Sequence, residues 1–467
     1  MMDYTTISRV YFIGIGGIGM SAIARYYLQK NVVVSGYDKT PTALSKMLEN
    51  EGAVIHYEDN IELIDRKAEL VIYTPAIPSS HKEFNWYRDH EFMMVKRSEV
   101  LSGITAASYN ICIAGTHGKT TVSAMVAHIL RHSGFGCNAF LGGIATNYNT
   151  NFWSSNNNVA VVEADEYDRS FLKLSPDIAV ITAMDADHLD IYGSLEKMKE
   201  GFGDFSRKLK TGGLLLTRFG IGDQYFSADD HYRYSLQNES AEIFATNIIL
   251  MQGGYVFDVS GKDWRIEQVK LNMGGMHNVE NVIAAIAIAQ HLEIDTGKIR
   301  KAVADFKGVK RRFEYVIPLE QAEKQLNNVV YIDDYAHHPE ELKALIKSAK
   351  SLFPKRKCTV VFQPHLFSRT KDFAKEFAAA LDIADEVLLL PIYPARELPM
   401  KGVTSEMILK EMQQKNASAV SQEQLVEYLG ISYLETVQAS TFGQLLITAG
   451  AGNIDQLIKP IKEILAK

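Results

Sequence analysis

A net charge of −7 spread over 467 residues, with 46% hydrophobic and 22% charged residues, marks an ordinary globular chain. It offers no basic surface for nucleic acid or for an anionic membrane. Cys112, Cys137 and Cys358 are far apart and form no C-x-x-C pair, which speaks against a disulfide framework or a thiolate metal site; with no signal-peptide core in MMDYTTISR and no apolar run near the roughly 20 residues of a membrane span, the expectation is a cytoplasmic protein of about three domains.

In chain order, RVYFIGI reads as a buried strand and MSAIARYYLQK as a helix. NVVVSGYD, TALSKMLENEG and ELVIYTPAI continue as strand, helix and strand, the alternation of a doubly wound parallel sheet. The rhythm breaks at SGITAASYN, residues 102–110, and a second α/β unit starts at Ile111 with ICIAG and the helix TTVSAMVAHILRHSG. NVAVVEADE and DIAVITAMDADHLD are strands with acidic ends, residues 212–272 are rich in strands and turns, and HNVENVIAAIAIAQHL is an apolar, buried helix. From about Tyr315, the segments NVVYIDDYAHHP, KCTVVFQPH, EVLLLPIYP and QLLITAGAGN each read as strand then loop. The predicted fold is therefore α/β in three domains, taken as 1–106, 107–313 and 314–467.

Two glycine loops follow apolar strands. Gly14-Ile15-Gly16-Gly17-Ile18-Gly19 is a G-x-G-x-x-G, in which backbone N–H groups and a helix N-terminus can meet a phosphate, and Asp38 ends the next strand, where an acid would meet a ribose. A dinucleotide is one reading, but the pattern serves many nucleotides. Gly115-Thr116-His117-Gly118-Lys119-Thr120-Thr121 is the more specific loop: Lys119 can reach terminal phosphates of ATP and the Thr120 hydroxyl can ligate Mg2+. It is shorter than a standard P-loop, with Ile113 where the first glycine would stand. The acidic strand ends EADEYD (Glu163 to Asp168) and DADHLD (Asp185 to Asp190) belong beside it. Glu163 is the first choice of metal ligand and His188 suits a second ion. His128 and His132 lie four apart on a helix without a third ligand, which argues against a metal there. Spacing alone leaves other residues open. Asn278 and Asn281, read as flanking a turn before the apolar helix, can cap it or read an adenine edge. Arg312 can meet a phosphate or be a surface charge. In DDYAHHP, Asp334 can hold a ribose, and Tyr335 and His337 can face substrate.

FIGIGGIGMSAIA, AGTHGKTT, EADEYD, DADHLD, HNVENVIAA, RRFE, DDYAHHPEE and FQPHLFSRTKDF, in this order along nearly the whole chain, resemble the Mur ligases, ATP-dependent amide-forming enzymes of peptidoglycan synthesis. Within that family the likeness is to the alanine-adding type, and the short G-T-H-G-K-T loop is the family's own variant. The resemblance implies an N-terminal Rossmann-like parallel sheet for a UDP-sugar, a central P-loop ATPase-like domain and a C-terminal Rossmann-like domain for the amino acid. The first loop would then hold UDP rather than a nicotinamide cofactor. ATP, UDP-N-acetylmuramate and L-alanine are the implied small-molecule partners, with two Mg2+ ions (Mn2+ able to substitute), no nucleic acid, no membrane, and a monomer or homodimer.

The implied roles are specific. Lys119, Mg2+ and Arg312 stabilise the transferring phosphoryl group; Thr120 and Glu163 hold one metal and His188 the second. Asn278 and Asn281 lie against adenine, Asp334 meets the ribose, and Tyr335, His337 and Arg369 face the reacting groups. Two departures from the family pattern stand out. Phe202 occupies about the place of a lysine that other members carry as a carbamate, with Lys197 and Lys199 off register, so no carbamylated lysine is expected. Leu366 stands where some alanine-adding members carry a second arginine, leaving Arg369. The sister ligase that attaches a tripeptide to the same sugar, a nicotinamide-dependent oxidoreductase and an inactive nucleotide-binding regulator are the competing readings.

Overall fold

A computed structural model describes residues 4–185, 189–319, 328–395 and 397–466. The chain divides into two compact units, one of Met1–Thr246, Asp258–Val269 and Glu280–Phe306, the other of Asn247–Phe257, Lys270–Val279 and Lys307–Lys467. No described helix is long and apolar enough to cross a membrane.

The first unit begins with β1 (Arg9–Ile13), α1 (Ile18–Gln29), β2 (Val33–Tyr37), α2 (Ala43–Asn50), β3 (Val54–His56), β4 (Leu70–Tyr73), α3 (Lys82–Asp89), β5 (Met94–Lys96) and α4 (Arg97–Thr105). The sheet order is β3-β2-β1-β4-β5, parallel throughout. Val10 to Ile13 are fully buried because both faces of β1 are covered, which is why the strand reads as an unbroken apolar run. Strand order reverses at β1, so the loop after it opens at the carboxyl edge where doubly wound sheets bind ligands.

The same unit continues with β6 (Tyr109–Ala114), α5 (Lys119–His132), β7 (Asn138–Ala145), β8 (Thr150–Trp153), β9 (Val159–Glu163), β10 (Ile178–Ile181), α6 (Leu195–Ser206), β11 (Leu214–Arg218) and β12 (Asp230–Ser235). Their order is β12-β11-β10-β6-β9-β7-β8, parallel except for the β7–β8 pair. β6 lies between β9 and β10, so the loops after all three emerge side by side. Phe202, on α6, is fully buried and meets Phe171 edge-on at 5.5 Å. The division between the units runs through β13 (Ile243–Met251), β14 (Gly254–Ser260), β15 (Arg265–Leu271) and α7 (Met276–His291), before α8 (Thr296–Asp305). Because α7 starts at Met276, Asn278 and Asn281 lie on its first two turns rather than on a preceding turn. The chain bends at Gly275 (φ +90°), and the Asn278 carboxamide donates to the Gly274 carbonyl at 2.6 Å.

The second unit holds β16 (Glu314–Tyr315), β17 (Val329–Asp334), α9 (Pro339–Leu352), β18 (Lys357–Phe362), α10 (Phe367–Asp372), β19 (Glu386–Leu389), β20 (Ala417–Ala419) and β21 (Gln444–Ala449). The order is β16-β17-β21-β18-β19-β20, with only β16 antiparallel.

Helix α1 is apolar on most of its surface because it is covered twice. Tyr27 meets Phe12 of β1 at 6.4 Å, and Tyr26 meets Phe140 and Phe152 of the β7–β8 pair at 5.9 and 6.0 Å. Between them Arg25, 2% exposed, donates to Glu51 at 2.8 Å and to the Asn151 carbonyl oxygen. The Asn151 amide in turn donates to the Ile18 carbonyl at 2.6 Å and the Ser21 hydroxyl at 3.0 Å. The first sheet is thus fastened to the second by a buried polar chain in which each loss strands a partner. Arg25→Ala is expected to destabilise this unit by about 3 kcal/mol, read as an earlier urea transition; an unchanged midpoint would show that the chain of bonds carries no stability.

Candidate active site

The first glycine loop is shaped by two strand ends. Gly14 (φ +91°) and Ile15 both donate to the Tyr37 carbonyl, at 2.8 and 3.0 Å, which folds the loop over the end of β2. Asp38 faces the loop: its carboxylate accepts the Gly16 N–H at 2.7 Å, and a Cβ on Gly16 would stand 2.8 Å from the same oxygen. Gly17 caps α1, Ile15 is buried and Ile18 is exposed. A Cβ on Gly19 would strike the Arg97 guanidinium at 2.8 Å.

The second loop joins β6 to α5. Gly115 (φ +131°) lies so close to β10 that a Cβ would come 2.8 Å from the Ala183 nitrogen, and Gly118 (φ +84°) faces the Asn281 carboxamide at 2.9 Å from its own Cβ position. Thr182 fixes the loop by donating to the Ala114 carbonyl at 3.1 Å and to the His117 carbonyl. Thr116 donates its N–H to the Ala183 carbonyl at 3.0 Å and accepts the Asp185 N–H at 3.1 Å. Thr121 is buried.

Two carboxylates three residues apart at the end of β9 complete the loop. Glu163 accepts from the Thr120 hydroxyl at 2.9 Å and from the Gly142 N–H at 2.9 Å. Glu166, fully buried, accepts from Lys119 Nζ at 2.8 Å, and Lys119 also donates to the Gly115 carbonyl at 2.6 Å. Burial raises the Glu166 carboxyl above its ordinary range and the Lys119 ammonium pulls it back. Sequence reading assigned Glu166 no role; its only signal was a second glutamate inside EADEYD. Thr120 and Glu163 present a hydroxyl and a carboxylate oxygen side by side, a donor set that fits Mg2+ completed by phosphate oxygens and waters. Among the described residues no cluster of three or more His, Cys, Asp and Glu is placed to hold a metal. His188 lies outside the described residues. His128 is engaged elsewhere, with its ring nitrogens 2.9 Å from the Ala302 carbonyl and from the Tyr148 hydroxyl.

In the second unit the loops after β17 and β18 form another cluster. Arg312 sits between Arg311 (φ +62°) and Phe313 (φ +46°), two residues in the left-handed region. Asp334 holds this bend: its carboxylate accepts the Phe313 and Ala336 N–H groups, each at 2.7 Å. Both guanidiniums, Arg311 and Arg312, stand 5.3 Å from the centre of the Tyr335 ring. His337 Nδ1 is 3.0 Å from the Tyr335 carbonyl, and burial lowers its pKa below the ordinary histidine value. His365, unassigned by sequence, lies 6.1 Å from the His337 ring and is pushed down to about 4 by burial and by its cationic neighbours. Arg369 Nη1 and His365 Nδ1 are buried without a hydrogen-bond partner among the described residues. Such polar atoms require an acceptor or donor from a ligand or from water. Leu366 (φ +71°) is the N-cap of α10.

Lys119, Thr120, Glu163, Gly118 and Asn281 are therefore brought together in the first unit, and Arg312, Asp334, Tyr335, His337 and Arg369 in the second. The tightness of Gly118 against Asn281 has a consequence: Gly118→Ala is expected to weaken ADP binding at least tenfold in a fluorescence titration, through a strained φ and a blocked loop. Unchanged affinity would show that nucleotide does not lie on this loop.

Comparison with known proteins agrees along the whole chain. Residues 9–109 match the Mur ligase family, catalytic domain; 113–289 match the Mur ligase middle domain; 311–452 match the Mur ligase, glutamate ligase domain. A UDP-N-acetylmuramate–L-alanine ligase of Cytophaga hutchinsonii is 46% identical over 99% of this chain and 97% of its own. A protein of the same name from Parabacteroides distasonis is 45% identical over 100% and 99%. The crystal structure of UDP-N-acetylmuramate-alanine ligase MurC from Thermotoga maritima superposes with a TM-score of 0.82 at 28% identity, covering 97% of this chain and 98% of that one. A murein peptide ligase of Psychrobacter arcticus shares the fold at a TM-score of 0.68 and 21% identity, over 98% and 99% of the two chains. With its three sheets, its two loops and full-length relatives above 40% identity, the chain belongs to the Mur ligase family.

Proposed function

We propose that this chain joins L-alanine to the lactyl carboxylate of UDP-N-acetylmuramate, splitting ATP to ADP and phosphate, in peptidoglycan precursor synthesis. The observation that carries the reading is the pairing of Lys119 and Thr120 with the two carboxylates Glu166 and Glu163 at one sheet edge. An enzyme that only bound a dinucleotide at the first loop would have no use for it. Residues 1–106 take the UDP-sugar on Gly14 to Gly19 with Asp38 bracing the loop, 107–313 take ATP, and 314–467 take the amino acid.

A carboxylate is a poor electrophile. Its oxygen attacks the γ-phosphorus of ATP, the bond to ADP breaks, and an acyl phosphate results. Lys119 leaves Glu166 for the phosphates, where its charge offsets that of the transferring group, and Arg312 adds a second cation. Thr120 and Glu163 would hold one Mg2+ and His188 a second; Mg2+ supplies charge neutralisation of the phosphate oxygens. Asn281 and Asn278 lie along the adenine, and Asp334 fixes the bend next to the ribose. The amine of alanine then attacks the acyl carbon, the tetrahedral intermediate expels phosphate, and the amine proton must leave. His337 suits that step. Its depressed pKa keeps it neutral near pH 7, and with Nδ1–H donated to the Tyr335 carbonyl its Nε2 lone pair is free to accept. Arg369, with a buried N–H in need of an acceptor, fits the carboxylate of the amino acid.

Phosphate release from ATP and Mg2+ with UDP-N-acetylmuramate is expected to require L-alanine. Release only with L-Ala-D-Glu-meso-diaminopimelate would move the chain to the recycling ligase. Lys119→Ala is expected to abolish turnover while UDP-sugar binding, followed by calorimetry, survives; turnover in that variant would remove ATP from the second loop.

A further inference from the structure

Arg97 opens α4 and lies between the first glycine loop and the acidic segment that follows β9. On one side its guanidinium covers Gly19 in the first turn of α1: a Cβ there would stand 2.8 Å from Nη1 and 3.2 Å from Cζ. On the other, Nη2 reaches the Asp165 carboxylate at 3.4 Å, two residues beyond Glu163. Arg97, Leu101, Glu163, Asp165 and Phe171 line one small cavity. The helix carrying Arg97 is anchored independently of this pair. Glu99 accepts from Lys173 at 2.8 Å, and the Ser102 hydroxyl donates to the Lys173 carbonyl at 2.6 Å.

The Arg97–Asp165 contact is a weak one. A well-formed charge-assisted hydrogen bond spans about 2.7–2.9 Å, and Asp165 is 41% exposed. An arginine only 21% exposed would ordinarily hold its partner more closely. The first loop, meanwhile, has a charge deficit. It offers backbone N–H groups and the end of α1, but Asp38 brings a negative charge to Gly16. A diphosphate bound there would be helped by a cation, and the Arg97 guanidinium stands beside Gly19 of that loop.

We propose that Arg97 is a substrate-binding residue whose guanidinium takes a phosphate oxygen of the UDP-sugar at the first glycine loop, exchanging Asp165 for the diphosphate. This rests on the UDP-sugar assignment above. The planar fork suits the exchange, because it can hold a phosphate oxygen without moving its helix.

The test is calorimetric titration of UDP-N-acetylmuramate and of UDP into the full chain without ATP, for wild type, Arg97→Ala, Arg97→Lys and Asp165→Asn. Arg97→Ala is expected to weaken both ligands at least tenfold and leave the KM for ATP unchanged, and Arg97→Lys to recover part of the loss. Asp165→Asn, which keeps Arg97 and removes its competitor, is expected to bind both ligands about threefold tighter, so the inference stays testable if Arg97→Ala folds poorly. Unchanged affinity in Arg97→Ala, or weakening by Asp165→Asn, would overturn it, as would an equal loss of ATP affinity, which would make Arg97 a prop for the acidic strand end. Failure of the wild-type chain to bind either ligand would overturn the substrate assignment first and this inference with it.

Discussion

Glu163 and Glu166 sit three residues apart at the end of one buried strand, and between them they fix the two side chains to which the proposed reaction assigns the phosphates. One accepts from Thr120, the other from Lys119. The geometry follows from strand order: β6 lies between β9 and β10, so a loop after β6 has acidic strand ends on one flank and the Thr182–Asp185 segment on the other. Glu166 is buried and would ionise reluctantly alone; beside Lys119 the ion pair is tolerated. The ion pair holds a cation beside the loop after β6, where the proposed reaction would transfer it from Glu166 to the phosphates.

Carboxylates also shape the other loops. Asp38 ties the first glycine loop through Gly16, and Asp334 ties the Arg312 bend through Phe313 and Ala336. Each was a candidate for touching a ribose, and each is found holding backbone. An acid that accepts backbone N–H groups can still accept from a sugar hydroxyl, since each oxygen has two lone pairs. Carboxylates thus hold both loops in shape before any ligand is bound, which would spare a binding step part of its ordering cost.

The long elements were legible because their burial is simple. β1, β6, β9, β10, β17, β18, β19 and β21 are apolar runs ended by loop residues, and α5 ends at His132, two residues before Gly134 with φ +83°. The α/β alternation and both glycine loops followed from these. β3, β5 and β20 were not read, because three residues carry too little period to separate a strand from a loop. The β7–β8 pair was missed because NAFLGGIA holds paired glycines that read as a break. HNVENVIAAIAIAQHL was read as a helix, within one residue of the observed start at Met276, whereas Asn278 and Asn281 were read as flanking a turn before it and lie inside it. At the site, motif residues could be listed but not connected. Glu166 against Lys119, Arg97 against Gly19 and His365 beside His337 join positions 28 to 78 residues apart, and only the folded sheet edges decide such pairs.

In the proposed reaction the substrate carboxylate is activated by phosphoryl transfer at the edge built by Lys119, Thr120, Glu163 and Glu166. The most direct measurement uses UDP-N-acetylmuramate labelled with oxygen-18 in its lactyl carboxylate and follows the label in the phosphate released during turnover with ATP and L-alanine. Attack by the carboxylate on the γ-phosphorus, then expulsion of phosphate by the amine, places one labelled oxygen in each phosphate. Phosphate free of label would mean that the carboxylate never joined phosphorus and that no acyl phosphate forms.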